Sequence, residues 1–138
     1  MGDDAAWREQ QREAALERRA ALERREAAEA GAARELVAAF LARVAAGGPP
    51  PVALRARGYD GRDYRTALTG WYVRRDRSAA VAADGRFYVL SAPGGLAARL
   101  RGVRPQPSDP PLVLGAGGRD GDSVPLEVAL QRVLDGEV

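Results

Sequence analysis

A glycine and proline run at residues 47 to 51, GGPPP, divides this chain into two parts with different sequence patterns. Nearly every residue from 3 to 46 is a good helix former, and Gly31 is the main interruption. Glycine at a helix end permits a left-handed cap, and consecutive prolines cannot continue a helix. We therefore predict one long helix, or two consecutive helices, over residues 3 to 46.

The first half of this helical region contains the repeat AALERR, at residues 14 to 19 and again at 20 to 25. Six residues advance a helix by about 600°, so Leu16 and Leu22 would lie about 120° apart rather than on one coiled-coil seam. This geometry favours a solvated helical arm. The alternative is a helix that docks on a partner protein or on a second copy of the chain.

The second half of the helical region carries one apolar stripe, formed by Leu36, Val37, Phe40, Leu41 and Val44. These five large side chains, at about 1.5 to 3 kcal/mol each, would otherwise remain in water. We expect residues 31 to 46 to pack on the chain's own sheet.

Beyond the prolines, alternating residues predict β-strands over residues 52 to 57 and 64 to 74. A hairpin is predicted next, in which residues 78 to 83 pair with 86 to 90 across Asp84-Gly85, a dipeptide suited to a type I′ turn. Alternation places Tyr88 on one face of the sheet. The opposite, inward face is expected to hold Trp71, Val73, Val81, Phe87 and Val89.

The last third of the chain has weaker signals. Residues 96 to 103 fit a fifth strand with Leu96 and Leu100 inward, or a short helix, and residues 112 to 114 fit a last strand. A final helix is predicted after a cap at Asp122 or Ser123. Its apolar stripe consists of Leu126, Ala129, Leu130, Val133 and Leu134.

These elements predict an α+β fold with a long N-terminal helix, a small antiparallel β-meander of about five to six strands, and a C-terminal helix. Residues 1 to 46 would form the helical arm, and residues 50 to 138 a compact α+β domain.

The residue types that are missing restrict the chemistry. The chain has no Cys, His or Lys. This excludes disulfides, thiol nucleophiles, Ser-His-Asp triads, Schiff bases and the ordinary ligand sets for zinc and copper. We expect a protein that is not an enzyme, with no cofactor and no bound metal. No secretory segment and no stretch of ~18 apolar residues is present, which predicts a cytoplasmic protein without membrane contact.

Charge is distributed unevenly. Residues 55 to 104 carry eleven arginines against four aspartates, a net +7, and residues 105 to 138 carry two arginines against six acids, a net −4. A basic sheet followed by an acidic tail indicates either an anionic partner, such as nucleic acid, or internal neutralisation. The candidate binding residues are the outward side chains of the sheet, namely Arg74, Arg75, Arg77, Arg86, Tyr72 and Tyr88.

The glycine-rich loop at residues 115 to 123 is a second candidate site. A strand, a glycine-rich turn and a helix N-terminus can present backbone N–H groups to an anion. The loop lacks the lysine of a Walker A motif, and its aspartates would repel phosphate without a divalent ion between them. It is therefore an ordinary connection, or an anion or metal site formed by Arg119, Asp120, Asp122 and Ser123.

The extent of the helical arm and the lack of convergent catalytic residues favour a non-enzymatic protein-interaction or adaptor module. Its partner would be another protein, or a second copy of the chain bound through the N-terminal helix. Binding of nucleic acid or another polyanion by the arginine-rich sheet is the first alternative. Metal-assisted phosphate chemistry at residues 115 to 123 is the second.

Overall fold

The N-terminal helix, α1 (Gly2–Ala45), has 44 residues and continues through Gly31. At a rise of 1.5 Å per residue it spans about 66 Å. It ends where Gly47 takes a φ of 134° and the N–H of Gly48 donates a hydrogen bond to the carbonyl of Val44, at 3.0 Å. The computed structural model describes residues 2–115 and 123–138.

Residues 2–30, here called the arm, are all exposed or half-buried. Trp7, Leu16 and Leu22 are 61%, 62% and 51% exposed. An ion pair between Arg12 and Glu9, at 3.8 Å, adds only a few tenths of a kcal/mol to helix stability. Within residues 2–115 and 123–138, no helix is both long and apolar enough to cross a bilayer.

The second half of α1 packs on the rest of the chain, as its stripe predicts. Ala33, Val37 and Phe40 are buried in a core that also contains side chains of the sheet and of the last helix. Leu36, Leu41 and Val44 of the same stripe are half-buried against this core.

Six strands form one sheet: β1 (Val52–Gly58), β2 (Asp63–Tyr72), β3 (Ala79–Ala82), β4 (Phe87–Val89), β5 (Ser91–Ala92) and β6 (Pro107–Ser108). Their order is β5-β1-β2-β3-β4-β6, antiparallel except between β1 and β5. The remaining elements are helix α2 (Leu96–Arg101), the separate strand pair β7 (Val113–Leu114) and β8 (Val124–Pro125), and helix α3 (Leu126–Leu134). The predicted α+β class is confirmed, with its long first helix, antiparallel sheet and last helix.

The sheet curls and closes on itself at Leu90. This residue links β4, which pairs with β3, to β5, which pairs with β1. Its N–H donates to the carbonyl of Ser78 at 2.8 Å, and its carbonyl accepts from the N–H of Arg57 at 2.9 Å. Strands β1 to β5 therefore form a small barrel. It is closed where β4 continues through Leu90 into β5.

The barrel has two apolar clusters, one inside and one outside. The inner cluster contains Leu54, Ala56, Ala80, Ala82, Tyr88 and Leu90. The outer cluster contains Trp71, Val73, Ala79, Val81 and Phe87, and is covered by α1 and α3. Strand β3 is buried on both faces, which explains why it consists of small and apolar residues without alternation.

Strands β2 and β3 approach closely at Gly70. A Cβ atom there would lie 2.6 Å from the Cα of Ala82 and would collide with the carbonyl oxygen of Val81. Only glycine fits without a backbone shift at this position.

The hairpin between β3 and β4 differs from the prediction. Pairing across a two-residue turn would place Val81 opposite Tyr88, but the structure pairs Val81 with Phe87. The type I′ turn is wrong, because Gly85 is left-handed, with a φ of 87°, whereas Asp84 is not. The loop has three residues, since the N–H of Ala82 donates to the carbonyl of Arg86 at 2.9 Å. The Asp84 carboxylate accepts from the Arg86 N–H at 2.8 Å, which stabilises this wider turn.

Three further predictions are wrong. Val89 is 51% exposed, because the core formed with α1 and α3 reaches Phe87 but not Val89. Residues 96 to 103 contain helix α2, the second of the two interpretations, and Leu96 and Leu100, expected to point inward in a strand, are 71% and 70% exposed. Ser123 does not cap α3, and Asp122, the other predicted cap, lies outside the described residues. Pro125 precedes the helix, and the N–H of Leu126 bonds to the carbonyl of Leu112, at 2.7 Å.

The β1–β2 turn is joined to the segment after β5 by Asp60 and Tyr64. The Tyr64 hydroxyl donates a hydrogen bond to the Asp60 carboxylate and accepts one from the N–H of Gly95, at 3.0 Å. The N–H of Arg62 donates to the same carboxylate at 3.1 Å. These bonds, first that of Tyr64 and then that of Arg62, lower the pKa of Asp60 below its ordinary value.

This shift predicts a pH dependence of stability. The pKa of Asp60 is lower in the folded chain than in the unfolded chain, so its stabilisation is present above the unfolded value of 3.8 and is lost as the pH falls through the folded value. We expect Tyr64→Phe to reduce the difference in free energy of unfolding between pH 7 and about pH 3, measured by urea denaturation. Tyr59→Phe, at a hydroxyl on a 77% exposed side chain, is the control and should leave that difference unchanged.

Candidate functional site

A concave surface of about 570 Å³ lies where the start of β1, the end of β2 and the end of α3 meet. Four of its side chains are arginines and two are aromatic. Among its described lining residues there is no Asp or Glu. We call it the arginine groove and define it by Arg55, Arg74, Arg75, Arg77, Trp71 and Tyr72; Pro49 and Pro50 form part of its wall.

The turn after β2 brings three of these arginines together. The N–H of Arg77 donates to the carbonyl of Arg74 at 3.1 Å, which closes the turn. Asp76 fixes its far end, because its carboxylate accepts from the N–H of Ser78 at 3.0 Å and from the Ser78 hydroxyl at 2.6 Å. Burial raises the pKa of Asp76, but the bonds from Ser78 and the charge of Arg74 outweigh burial, so its pKa lies below the ordinary value.

Arg77 has an unusual backbone conformation. Its φ is 61°, and it is the only residue other than glycine with a positive φ in the described part of the chain. A residue with a Cβ in the left-handed region costs about 1–2 kcal/mol. The guanidinium of Arg77 lies over the ring of Tyr72, 5.4 Å from its centroid, a cation–π contact that offsets part of this cost.

Tyr72 connects the turn to Arg55 on the neighbouring strand. Its hydroxyl accepts a hydrogen bond from the backbone N–H of Arg55 at 2.8 Å. The pairing of β1 with β2 is irregular just before Arg55, and the Tyr72 hydroxyl supplies an acceptor there. The side chain of Tyr72 and the backbone of Arg55 therefore lie in a fixed relation across 17 residues of sequence.

Trp71 forms part of the floor of the groove. It is 8% exposed, and its indole N–H donates to the carbonyl of Pro49 at 2.9 Å. Its ring meets Phe40 edge-on, with centroids 5.5 Å apart. The groove is thereby attached to the core that holds α1.

Arg74 is the most enclosed cation of the turn, with a side chain that is 19% exposed. Its Nε lies 3.5 Å from an oxygen of Asp76. Its Nη1 is buried and has no hydrogen-bond partner among residues 2–115 and 123–138. A buried donor without an acceptor costs about 1–3 kcal/mol.

The structure brings four of the six predicted sheet residues together, namely Tyr72, Arg74, Arg75 and Arg77. Arg86 lies elsewhere, in a cavity of about 590 Å³ between α1 and β6, where Arg34 pairs with Asp109 at 3.3 Å.

Tyr88 is not part of any exposed face, contrary to expectation. It is 4% exposed and points into the barrel, because it alternates with Phe87, which faces α1 and α3. Its hydroxyl donates to the Asp84 carboxylate at 2.8 Å. Burial, followed by this bond, raises the pKa of Tyr88 above the ordinary value.

The second predicted site falls largely outside the described residues. Arg119, Asp120 and Asp122 belong to residues 116–122, which the structure does not describe. Ser123 is exposed and lines a neighbouring cavity with Arg74, Asp76 and others. In the described ranges, no group of three or more Asp or Glu residues is placed to hold a metal ion.

Sequence reasoning did not place Arg55 or Trp71 in the site. The signal for Arg55 was present, because it alternates with Leu54 and Ala56, both of which are buried. Antiparallel pairing of β1 with β2 also places the start of one strand beside the end of the other.

Comparisons with known proteins give no guide to the function of the site, since no family model matches the chain, and neither a curated protein nor a solved structure is significantly similar to it.

The backbone of Arg77 predicts an order of stabilities. We expect Arg77→Gly to be more stable than Arg77→Ala by about 1 kcal/mol, because both lose the contact with Tyr72 but only glycine relieves the left-handed conformation. The measurement is urea denaturation of the two variants. The pair Arg75→Gly and Arg75→Ala is the control, since Arg75 has no positive φ, and there the glycine variant should not be the more stable one.

Proposed function

We propose that this chain is a non-enzymatic binding module that holds an anionic partner in the arginine groove. The observation that carries the proposal is the convergence of four arginines on one concave surface whose described lining residues include no Asp or Glu. Like charges held close together repel one another, and a bound anion relieves that repulsion. A concave wall also concentrates the field of the four cations on a small volume.

Binding is favoured over catalysis by the side chains that line the groove. The guanidinium groups of the arginines are hydrogen-bond donors without an acceptor and so provide no base. The Tyr72 hydroxyl is engaged by the N–H of Arg55, which leaves its oxygen less available for proton transfer. These groups hold and orient an anion, and none is arranged as a nucleophile with an adjacent base.

The proposal predicts salt-sensitive binding of a polyanion. We expect a fluorescent single-stranded oligonucleotide to bind at ~50 mM salt and to weaken steeply towards ~200 mM, as counterions are released from the polymer. The double variant Arg55→Gln, Arg75→Gln should weaken binding at least about tenfold in fluorescence anisotropy.

The matched control is Arg18→Gln, Arg24→Gln, which removes the same charge from the exposed arm. It should retain most of the affinity. Loss of binding in both double variants to the same extent would assign the affinity to net charge rather than to the groove.

A second candidate function, docking on a protein partner or on a second copy of the chain, is favoured by the arm. Residues 2–30 leave Trp7, Leu16 and Leu22 more than half exposed on a helix that extends from the folded part. At 100° per residue, Leu16 lies about 180° from Trp7 and about 120° from Leu22. The three side chains therefore do not form one seam, and separate anchors fit the arm better than a continuous coiled coil.

This candidate is tested by sedimentation of the full chain. If the arm mediates self-association, the full chain sediments above its monomer mass of 14.7 kDa. The variant Trp7→Ala, Leu16→Ala, Leu22→Ala should then weaken the association at least about tenfold, while alanine preserves the helix. A monomeric full chain at all concentrations rules out self-association through the arm.

A further inference from the structure

Arg74 differs from the other three arginines of the groove in how little of it reaches solvent. Its side chain is 19% exposed, and Nη1 is buried without a hydrogen-bond partner among the described residues. A guanidinium nitrogen shielded from water needs an acceptor, and the strongest acceptors for it are the oxygens of a carboxylate or a phosphate.

The carboxylate that pairs with Arg74 among the described residues does not meet this need. Asp76 approaches Nε of Arg74 at 3.5 Å, which is longer than a good charge-assisted hydrogen bond. The same oxygen accepts from the N–H of Ser78 at 3.0 Å and from its hydroxyl at 2.6 Å. Asp76 therefore holds the turn in shape and provides one negative charge beside Arg74, Arg75 and Arg77.

The aromatic rings of the groove are not free to stack on a nucleobase. Trp71 is 8% exposed and meets Phe40 edge-on. One face of Tyr72 is covered by the guanidinium of Arg77, and its hydroxyl is held by Arg55. Proteins that bind single-stranded nucleic acid through its bases need such faces exposed. The groove is therefore suited to bind the charged groups of a ligand and not to stack on nucleobases.

The cations are also close together in the chain. Arg74, Arg75 and Arg77 belong to one tight turn, closed by the bond from the Arg77 N–H to the Arg74 carbonyl. Arg55 reaches the same groove from β1. Cations grouped in this way match one compact, multiply charged group better than a row of singly charged phosphodiesters, which would need cations spaced along a track.

We propose, on the basis of the binding function proposed above, that the arginine groove recognises a phosphate monoester, with Arg74 as its anchor. A phosphate monoester carries nearly two charges at neutral pH and three terminal oxygens, enough to engage several arginines at once. Arg74 rotates about its side-chain bonds to present Nη1 to one of these oxygens. No covalent step takes place.

The test compares methyl phosphate with dimethyl phosphate, which share the phosphate core but differ in charge and in the number of free oxygens. Binding is followed by the fluorescence of Trp71 in a Trp7→Phe background, where Trp71 is the only tryptophan. Methyl phosphate should bind at least tenfold more tightly than dimethyl phosphate at pH 7.5. Its affinity should fall below about pH 6, where the monoester takes up a proton.

Variants identify the anchor. Arg74→Gln should weaken methyl phosphate binding at least tenfold, and Arg74→Lys should restore little of it, because an ammonium lacks the planar fork. If Arg74→Gln lowers the melting temperature, Arg75→Gln serves instead, since Arg75 is exposed, and should weaken binding severalfold. Arg86→Gln, outside the groove, should have no effect.

The source of the monoester is resolved by titrating a phosphoserine peptide and a sugar phosphate separately. Tighter binding of the peptide indicates a phosphorylated protein partner, and tighter binding of the sugar phosphate indicates a metabolite.

Equal binding of methyl and dimethyl phosphate, or full binding by Arg74→Gln, overturns the monoester assignment. An oligonucleotide without terminal phosphate that still binds would then leave the wider anion-binding function standing. If neither the oligonucleotide nor methyl phosphate binds, both proposals fail.

Discussion

The closure of the sheet at Leu90 is the constraint on which most of this structure depends. The N–H of Leu90 donates to the carbonyl of Ser78, the residue just before β3, and its carbonyl accepts from the N–H of Arg57 in β1, so the chain passes directly from its pairing with β3 to its pairing with β1. Closure fixes the curvature of all five strands and produces a narrow interior. That interior is filled by three alanines on β1 and β3 together with Leu54, Tyr88 and Leu90, and β2 approaches β3 closely at Gly70.

Closure also determines where the arginine groove lies. Helices α1 and α3 cover the outer face of the barrel. The end of β2 extends beyond these helices, and the chain turns back there. Trp71 remains in the core while Tyr72 and the turn after it reach the surface. One side of the groove is thus formed by β1, β2 and α3, and the other by the tight turn after β2. This is a suitable arrangement for a site that must hold several like charges close together.

The sequence predicted the features that depend on local pattern and could not predict those that depend on closure. The stripe from Leu36 to Val44 and the placement of Val81 with Phe87 in the core follow from spacing alone, and both were correct. The exposure of Val89 depends on how far the helices extend over a curved sheet, and the burial of Tyr88 depends on the closed interior of the barrel. Spacing reveals neither. In the groove, the three turn arginines were predicted as a group, whereas the bond from Arg55 to Tyr72 depends on an irregularity in the strand pairing.

The distribution of ion pairs bears on whether the acidic tail neutralises the basic sheet. Within residues 2–115 and 123–138, the ion pairs of the sheet segment are local, as in Arg57 with Asp63 and Arg74 with Asp76. Asp109 of the tail pairs with Arg34 of α1, and Asp135 accepts from Gln131 within the last helix region. The tail carboxylates that the structure describes therefore either contact residues outside the groove or form no ion pair with the arginines of the groove. Among residues 2–115 and 123–138, no ion pair joins a tail carboxylate to an arginine of the groove, and this supports the anionic partner proposed above.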